Sequence, residues 1–356
     1  MITLVLTNRN RDLRIVKNCL DSLTKQIEKS FELVLIDYGS KDDYISLLKG
    51  IAKKYKFLQL ILCPVAGQLW NKSRAINIAL KETTTRYFIV GDIDLMFSPD
   101  FIKIAKSKAS QKVLYFKCGF LSKEQSLREM DFADYQVDFY GSEDVTGIAL
   151  FPTDILKSVN GYDEFYHGWG AEDTDIQLRL KNIGLRIEFY KEHTLVKHQW
   201  HPKAYRSKHS SSPYHSNLER INHSYMNMTQ SYNRIKANID AEWGKVPTEN
   251  EYNKLRQIPD HTIIINPIDF EFSSLLAQFK NFKNELVKIK IKCVSNKEIQ
   301  KQALKRVLHK KYNNYLNLET INNLLLEEII KNYRNSPYSY SFNRQKGEIN
   351  FIILFS

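Results

Sequence analysis

The chain offers almost no cysteine chemistry: Cys19, Cys63, Cys118 and Cys293 stand far apart and form no C-x-x-C pair. That spacing excludes a zinc knuckle and a disulfide framework, and it predicts a reducing, cytoplasmic setting. Long apolar runs are missing as well. No stretch approaches the about 18 residues that a bilayer-crossing helix needs. The opening Met1–Leu6 is too short for the core of an export signal and runs at once into Asn8, Arg9 and Arg11. Two phosphate-binding devices are also lacking, since the sequence contains neither G-x-x-x-x-G-K-[ST] nor G-x-G-x-x-G. A nucleotide bound here would need some other means of neutralising its phosphates. No recognised nucleic-acid motif accompanies the formal charge of +12, so that charge by itself selects no polyanion among nucleic acid, membrane and phosphorylated small molecule.

What is present reads as a well-formed globular protein: 356 residues, 43% hydrophobic and 26% charged, enough for one large core and a smaller appendage. Ile2–Leu6, Phe31–Ile36, Phe57–Leu62 and Tyr87–Val90 are strand-like apolar runs. Between them Leu13, Val16, Leu20, Leu23 and Ile27, then Tyr44, Leu47, Leu48 and Ile51, then Ala75, Ile76, Ala79 and Leu80, recur at helical spacing. This alternation predicts an α/β fold with a mostly parallel sheet flanked by helices. From Ser142 to His201 the text turns to glycine-rich turns, aromatic residues and short strands. A Ser-, His- and Asn-rich stretch from Lys203 to Asn233 reads as loop and helix. Beyond Glu249 a helical stripe of Leu318, Ile321, Leu325 and Ile329 stands out. The expected division is a catalytic domain over 1–210 and a mainly helical extension over 211–356.

Two acidic clusters carry the chemistry. Asp92 and Asp94 follow the fourth apolar run, at the carboxyl end of a strand, where open α/β sheets bind ligands. Two residues apart on an extended backbone, their carboxylates point to one side, where a divalent cation can bridge them to a phosphate. Glu172 and Asp173 follow Gly168-Trp169-Gly170-Ala171, which suits a tight turn beside an aromatic platform and places a candidate base there. Farther on, His198 and His201 are candidates to complete a carboxylate metal site, with His198 the first choice. A mixed oxygen and nitrogen ligand set points to Mn²⁺ ahead of Mg²⁺.

These segments together resemble the metal-dependent, Rossmann-like GT-A glycosyltransferases that use nucleotide-sugars: family 2 in the first half, galactosyltransferases in the second. The resemblance covers about residues 1–205 and rests on quotable motifs. Leu4–Arg9 is similar to the opening strand and nucleotide loop, Glu32–Ser40 to E-[IV]-[IV]-V-V-D-D-G-S, Lys72–Ala79 to K-x-R-A-x-N-x-G, and Phe88–Asp94 to the strand with the metal motif. Asn160–Phe165 followed by Gly168–Asp175 and Arg179 is similar to G-[FY]-D-E…G-W-G-x-E-D-x-D…R. The sequence departs from the pattern at Tyr38, Ala171 and Thr146-Gly147.

The resemblance implies inverting transfer with Asp173 as the base, Glu172 and Trp169 at the acceptor, and Asp94 with His198 or His201 on the metal. It implies a donor site of Thr7, Asn8, Arg9, Asp37 (on the uridine), Arg74, Asn77, Asp92 and Gly147. The expected reaction moves galactose or N-acetylgalactosamine from a UDP-sugar to a glycan or lipid-linked glycan, in bacterial surface polysaccharide or glycoconjugate synthesis, with Mn²⁺ and Mg²⁺ as second choice. Lys280, Lys283, Lys288, Lys290, Lys292, Lys305, Arg306, Lys310 and Lys311 form a basic region that can either be a solvated face or lie against the inner face of an anionic membrane. A sugar nucleotidyltransferase and a basic nucleic-acid-binding protein are the alternatives; no nucleic-acid partner is expected.

Overall fold

The computed structural model describes residues 1–142, 147–202 and 213–355. Strand β1 (Ile2–Asn8) is buried along its whole length, and its Ile2, Leu4 and Leu6 share a core with Val16, Leu20 and Leu23 of helix α1 (Leu13–Thr24). A continuous Ile/Leu/Val/Thr run suits a strand covered on both faces. Asp12 starts α1 by accepting a side-chain hydrogen bond from the Arg14 amide at 2.8 Å. Ile27, expected on the same stripe, falls beyond the end of α1 and is exposed, because Gln26 turns inward to donate to the Ser98 carbonyl at 2.7 Å.

The chain continues through β2 (Phe31–Tyr38), α2 (Asp42–Ala52), β3 (Leu58–Cys63), α3 (Lys72–Glu82), β4 (Tyr87–Asp92) and β5 (Leu95–Phe97). Next come α4 (Phe101–Lys108), β6 (Val113–Phe116), β7 (Cys118–Leu121), α5 (Lys123–Ser126), β8 (Val137–Tyr140), β9 (Ala149–Pro152) and α6 (Thr153–Ser158). Helix α7 (Glu172–Asn182), β10 (Ile187–Tyr190), β11 (Val196–His198) and α8 (Leu218–Ser231) follow. The main sheet has the order β10-β6-β9-β4-β1-β2-β3. It is parallel except for β9, which runs antiparallel to β4 and β6.

Two features of this topology position the site. The chain moves outward from β1 to β2 and β3, then returns to place β4 on the other flank of β1, so the strand order reverses between β1 and β4. Crevices open at such reversals, beyond the carboxyl ends of the strands. There the registers pair Thr7 with Asp92 and Asn8 with Asp37. Second, a small sheet of order β5-β11-β7-β8 sets β11 antiparallel to β5, with His198 opposite Leu95. Asp94, just before β5, is tied to the same strand by the Gln199 amide, which donates to its carbonyl at 2.9 Å.

Two compact units are present. The first comprises Met1–Cys63, Trp70–Lys203 and Glu219–Val246; the second takes Pro64–Leu69, a short stretch ending at Leu218, and the chain from Pro247 onward. The second unit carries α9 (Glu249–Asn253), α10 (Asp269–Gln278), α11 (Asn296–Val307) and α12 (Leu318–Glu328). Ile321, Leu325 and Ile329 of the anticipated stripe are fully buried. Alongside these helices stands a sheet that the helical expectation did not include: β12 (His261–Ile265), β13 (Leu286–Lys292), β14 (Tyr338–Asn343) and β15 (Glu348–Leu354), ordered β12-β13-β15-β14. Lys288, Lys290 and Lys292 therefore lie on a strand, alternating with buried Val287, Ile289 and Ile291. Their period of two is that of a half-covered sheet and not of a helix face. Among the described residues, no helix is long and apolar enough to cross a membrane.

Candidate active site and metal centre

The ends of β1, β2 and β4 hold the first group of anticipated residues. The Thr7 hydroxyl donates to Asp92 Oδ1 at 3.4 Å, and the Asn8 amide donates to Asp37 Oδ2 at 2.6 Å. Asp37 is fully buried, and its carboxylate also accepts from the Ser40 amide at 3.0 Å and the Ser40 hydroxyl at 2.7 Å. Burial raises its pKa, against the pull of those same hydrogen bonds. In this structure Asp37 is therefore the brace of the loop after β2. Arg9 follows, half-exposed, in the loop after β1. Gly147 stands beside Asp92, where a Cβ would lie 3.6 Å from Asp92 Oδ2; Thr146 lies outside the described residues.

Asp94, His198 and His201 come together. His198 Nε2 lies 3.5 Å from Asp94 Oδ1 and His201 Nε2 lies 3.2 Å from Oδ2. One ligand atom from each of the three falls within 4.8 Å of the others. Oδ1 of Asp94 is buried without a hydrogen bond, an orphaned acceptor that a cation would satisfy. Burial lowers the His198 pKa although Asp94 opposes it, which favours the neutral imidazole that binds metal. The Asp94 carboxyl is held below the usual carboxylate range: its own burial acts upward but is outweighed by His198, His201 and Arg11. These residues fit a divalent metal with mixed oxygen and nitrogen ligands. Arg11, absent from the anticipated set, places its guanidinium 3.1 Å from Asp94 Oδ2.

Across the crevice, Glu172 and Asp173 follow the expected turn and open α7, where the positive end of the helix favours acidic side chains. The turn is the segment before them: Gly168, Gly170 and Ala171 have φ of 75°, 97° and 76°. Ala171 thus adopts the left-handed conformation that glycine takes without cost, which explains why the related motif has glycine there. Trp169 remains 44% exposed on this turn, while Glu172 and Asp173 point inward. Burial raises the Asp173 pKa to about 7, with Glu172 and Asp92 adding to the effect and Lys72 opposing it. Asp173 Oδ1 is buried with no partner.

Lys72, the first residue of α3, connects the two sides. Its Nζ lies 3.2 Å from Asp173 Oδ2, 3.5 Å from Glu172 Oε1 and 3.3 Å from Asp92 Oδ2. Burial disfavours its charge, but Asp173, Asp92 and Glu172 together hold its pKa well above the ordinary lysine value. Sequence reasoning quoted Lys72 within a motif and assigned it no role. Its only local signal was a position at the start of a helix that follows a strand.

Arg74 and Asn77, expected at the donor, make internal hydrogen bonds in this structure. Arg74 is buried with its Nε donating to Glu164 Oε2 at 2.8 Å. The Asn77 side chain donates to the Tyr162 carbonyl at 2.8 Å and Glu164 Oε1 at 3.0 Å, and accepts from the Tyr162 amide at 2.8 Å. Three residues apart on α3, they share a face as anticipated, but that face locks the segment before α7. Gly161 in that segment has φ of 63°, and a Cβ there would meet Asn77 Oδ1 at 2.3 Å. Asp175 and Arg179 complete the frame, fully buried and paired at 2.7 Å. Arg179 also donates to the Val159 and Gly161 carbonyls at 3.0 and 2.8 Å.

Comparison with known proteins gives two family matches. Residues 3–135 match the model of glycosyl transferase family 2, and residues 128–202 match that of the N-terminal domain of galactosyltransferase. Chondroitin sulfate synthase 3 of Mus musculus is 24% identical over 53% of this chain and 23% of its own length. Beta-1,4-galactosyltransferase 4 of Cricetulus griseus is 24% identical over 43% of each chain. Among solved structures, a mannosyltransferase from Pyrobaculum calidifontis in complex with GDP-Man and Mn²⁺ is 15% identical with a TM-score of 0.43, covering 65% of this chain and 71% of that one. The chain thus spans less than half the length of either curated relative. Residues 3–202 are a glycosyltransferase domain. Within that class, the domain joins a family 2 first half to a galactosyltransferase-type second half.

Proposed function

We propose that this protein transfers galactose or N-acetylgalactosamine, with inversion, from a UDP-sugar to a hydroxyl of a glycan acceptor. The observation that carries the reading is the position of Asp173. It is a buried carboxylate with one oxygen free, and the ammonium it touches also touches Asp92 at the donor end. A sugar hydroxyl is a poor nucleophile and gains from a positioned base. Asp173 Oδ1 takes the hydroxyl proton as the acceptor's hydroxyl oxygen bonds to the anomeric carbon. The bond from this carbon to the diphosphate oxygen breaks, and UDP leaves with the electron pair. Glu172 and Trp169 hold the acceptor, while Thr7, Asn8, Arg9, Asp92 and Gly147 border the donor, with Asp37 acting through the loop it braces. Asp94, His198 and His201 would hold the metal, for which Mn²⁺ is the first choice; a metal there supplies charge neutralisation for the departing diphosphate. The match to a galactosyltransferase model and the relatives named for galactosyl transfer and chondroitin sulfate synthesis support the donor and acceptor classes.

The reading extends to where the acceptor resides. Helix α11 exposes Ile299, Leu304 and Val307, with Leu308 just beyond it, among Lys297, Lys301, Lys305 and Arg306. That combination supports contact with an anionic bilayer, the place of a lipid-linked glycan at the inner face of a cell membrane.

The decisive experiment is Asp173→Asn with a panel of UDP-sugars and Mn²⁺. Transfer should fall by about 10²–10⁴-fold, while calorimetry shows UDP binding as in the unaltered protein. Near-normal turnover in this variant overturns the assignment.

A further inference from the structure

We propose that Lys72 is the positioning residue of the base: its ammonium pins Asp173 Oδ2, so that Oδ1 alone is left to take the acceptor proton, and it anchors this arrangement to Asp92 at the donor end. The inference rests on the reading of Asp173 as the base and adds the group that holds it ready.

Three observations converge. A lysine ammonium has three donors and no acceptor, and Lys72 meets three carboxylates, within 3.2 to 3.5 Å, from the end of β4 and the start of α7. Its side chain is only 12% exposed, so little water competes for those donors. The two oxygens of Asp173 are unequal as a result: Oδ2 accepts from Lys72 at 3.2 Å, while Oδ1 is buried and unpartnered. An unpartnered buried acceptor is costly unless a ligand completes it, and an acceptor hydroxyl is the donor that fits.

Lys72 is the cationic group in contact with Asp173. Glu172 beside it and Asp92 on β4 are acidic, and Tyr115 on β6 and Tyr162 before α7 are phenols whose burial keeps them neutral. Removing the lysine charge therefore removes what favours the ionised carboxylate. An opposite charge at this range lowers a carboxyl pKa by about 1–3 units, so its loss moves the ionisation up by that amount.

The test compares Lys72→Met, Lys72→Gln and Lys72→Arg with the unaltered protein, following kcat/KM for transfer against pH and checking folding by circular dichroism. The unaltered profile should fall on its acid side below about pH 7, where Asp173 gains its proton. In the Met and Gln variants that acid limb should move up by about 1–3 pH units, and Arg should restore it toward the original position. If folded Met or Gln variants lose rate or donor affinity with the acid limb unmoved, Lys72 is a donor contact or a structural ion pair and the inference fails. Asp173→Asn, measured alongside, separates the two ideas. Retained transfer in that variant sinks the base assignment itself, whereas its loss together with an unmoved limb in the lysine variants sinks only the role of Lys72.

Discussion

Arg11 occupies an oxygen of the candidate metal site. Its guanidinium lies 3.1 Å from Asp94 Oδ2, the same oxygen that His201 approaches at 3.2 Å. A cation drawn to Asp94, His198 and His201 must share or displace that contact, because guanidinium and metal seek the same lone pairs. Arg11 pairs with Asp94 and would oppose the arrival of a cation there. Arg11→Ala should therefore tighten Mn²⁺ binding in the absence of nucleotide by about tenfold, or about 1.4 kcal/mol, as titrated by electron paramagnetic resonance. Weaker or unchanged binding would show that the guanidinium does not compete. Asp92, only two residues away, has different company in Lys72 and Thr7, so the two carboxylates of one short motif hold different partners.

Helix α3 is the element on which the site is assembled. Its first residue reaches the three carboxylates, and one turn on, Arg74 and Asn77 hold the Gly161–Glu164 segment that leads toward α7. The position of Asp173 thus depends on buried polar bonds several residues upstream. Breaking a buried pair by removing one partner is strongly destabilising, since the other charge stays in a low-dielectric interior without compensation. Arg74→Ala should lower unfolding stability by about 3–5 kcal/mol, read from urea denaturation, while the protein that remains folded binds UDP with unaltered affinity. A normal denaturation midpoint combined with lost UDP affinity would return Arg74 to the donor site. The β5–β11 pairing has a comparable role for the metal side. Gln199, fully buried between His198 and His201 in the chain, accepts from Asn18 at 3.0 Å and donates to the Ile15 carbonyl at 3.1 Å, tying the strand end to α1.

At the scale of the whole chain, a glycosyltransferase domain is joined to a second unit with its own four-stranded sheet. The surface of that unit is basic and, on α11, partly apolar. Each basic residue near an anionic bilayer is worth about 1 kcal/mol, and the exposed apolar side chains add an insertion component. The full chain should float with vesicles containing phosphatidylserine or phosphatidylglycerol, more weakly at high salt, and should not float with purely zwitterionic ones. The double variant Leu304→Glu, Val307→Glu should remove flotation without lowering transfer to a soluble acceptor. Flotation that persists in the variant would move the contact off α11.

The fold was legible where local periodicity and burial agree. Ile2–Leu6, Phe31–Ile36 and Tyr87–Val90 form strands because fully covered parallel strands need uninterrupted apolar runs. α3 was equally readable from the positions of Ala75, Ile76, Ala79 and Leu80. The acidic clusters could be found as well, since Asp92 and Asp94 end a recognisable strand. In the second unit, strand β13 was harder to read, because a short Lys/Ile alternation also counts as amphipathic text and only pairing with β12 and β15 makes it a sheet. Side-chain partners were beyond reach for a related reason: they follow from long-range pairing that carries no local mark. Nothing near Lys72 in the chain announces that its ammonium joins Asp92 to Asp173. Likewise, nothing near Arg74 and Asn77 in the chain announces their bonds to the Tyr162–Glu164 segment. Residue type and period set the elements and the kinds of chemistry on offer. Which polar groups are satisfied internally, and which are left for a ligand, was settled by the folding of distant segments against one another, because hydrogen bonds and charges are decided by neighbours in space.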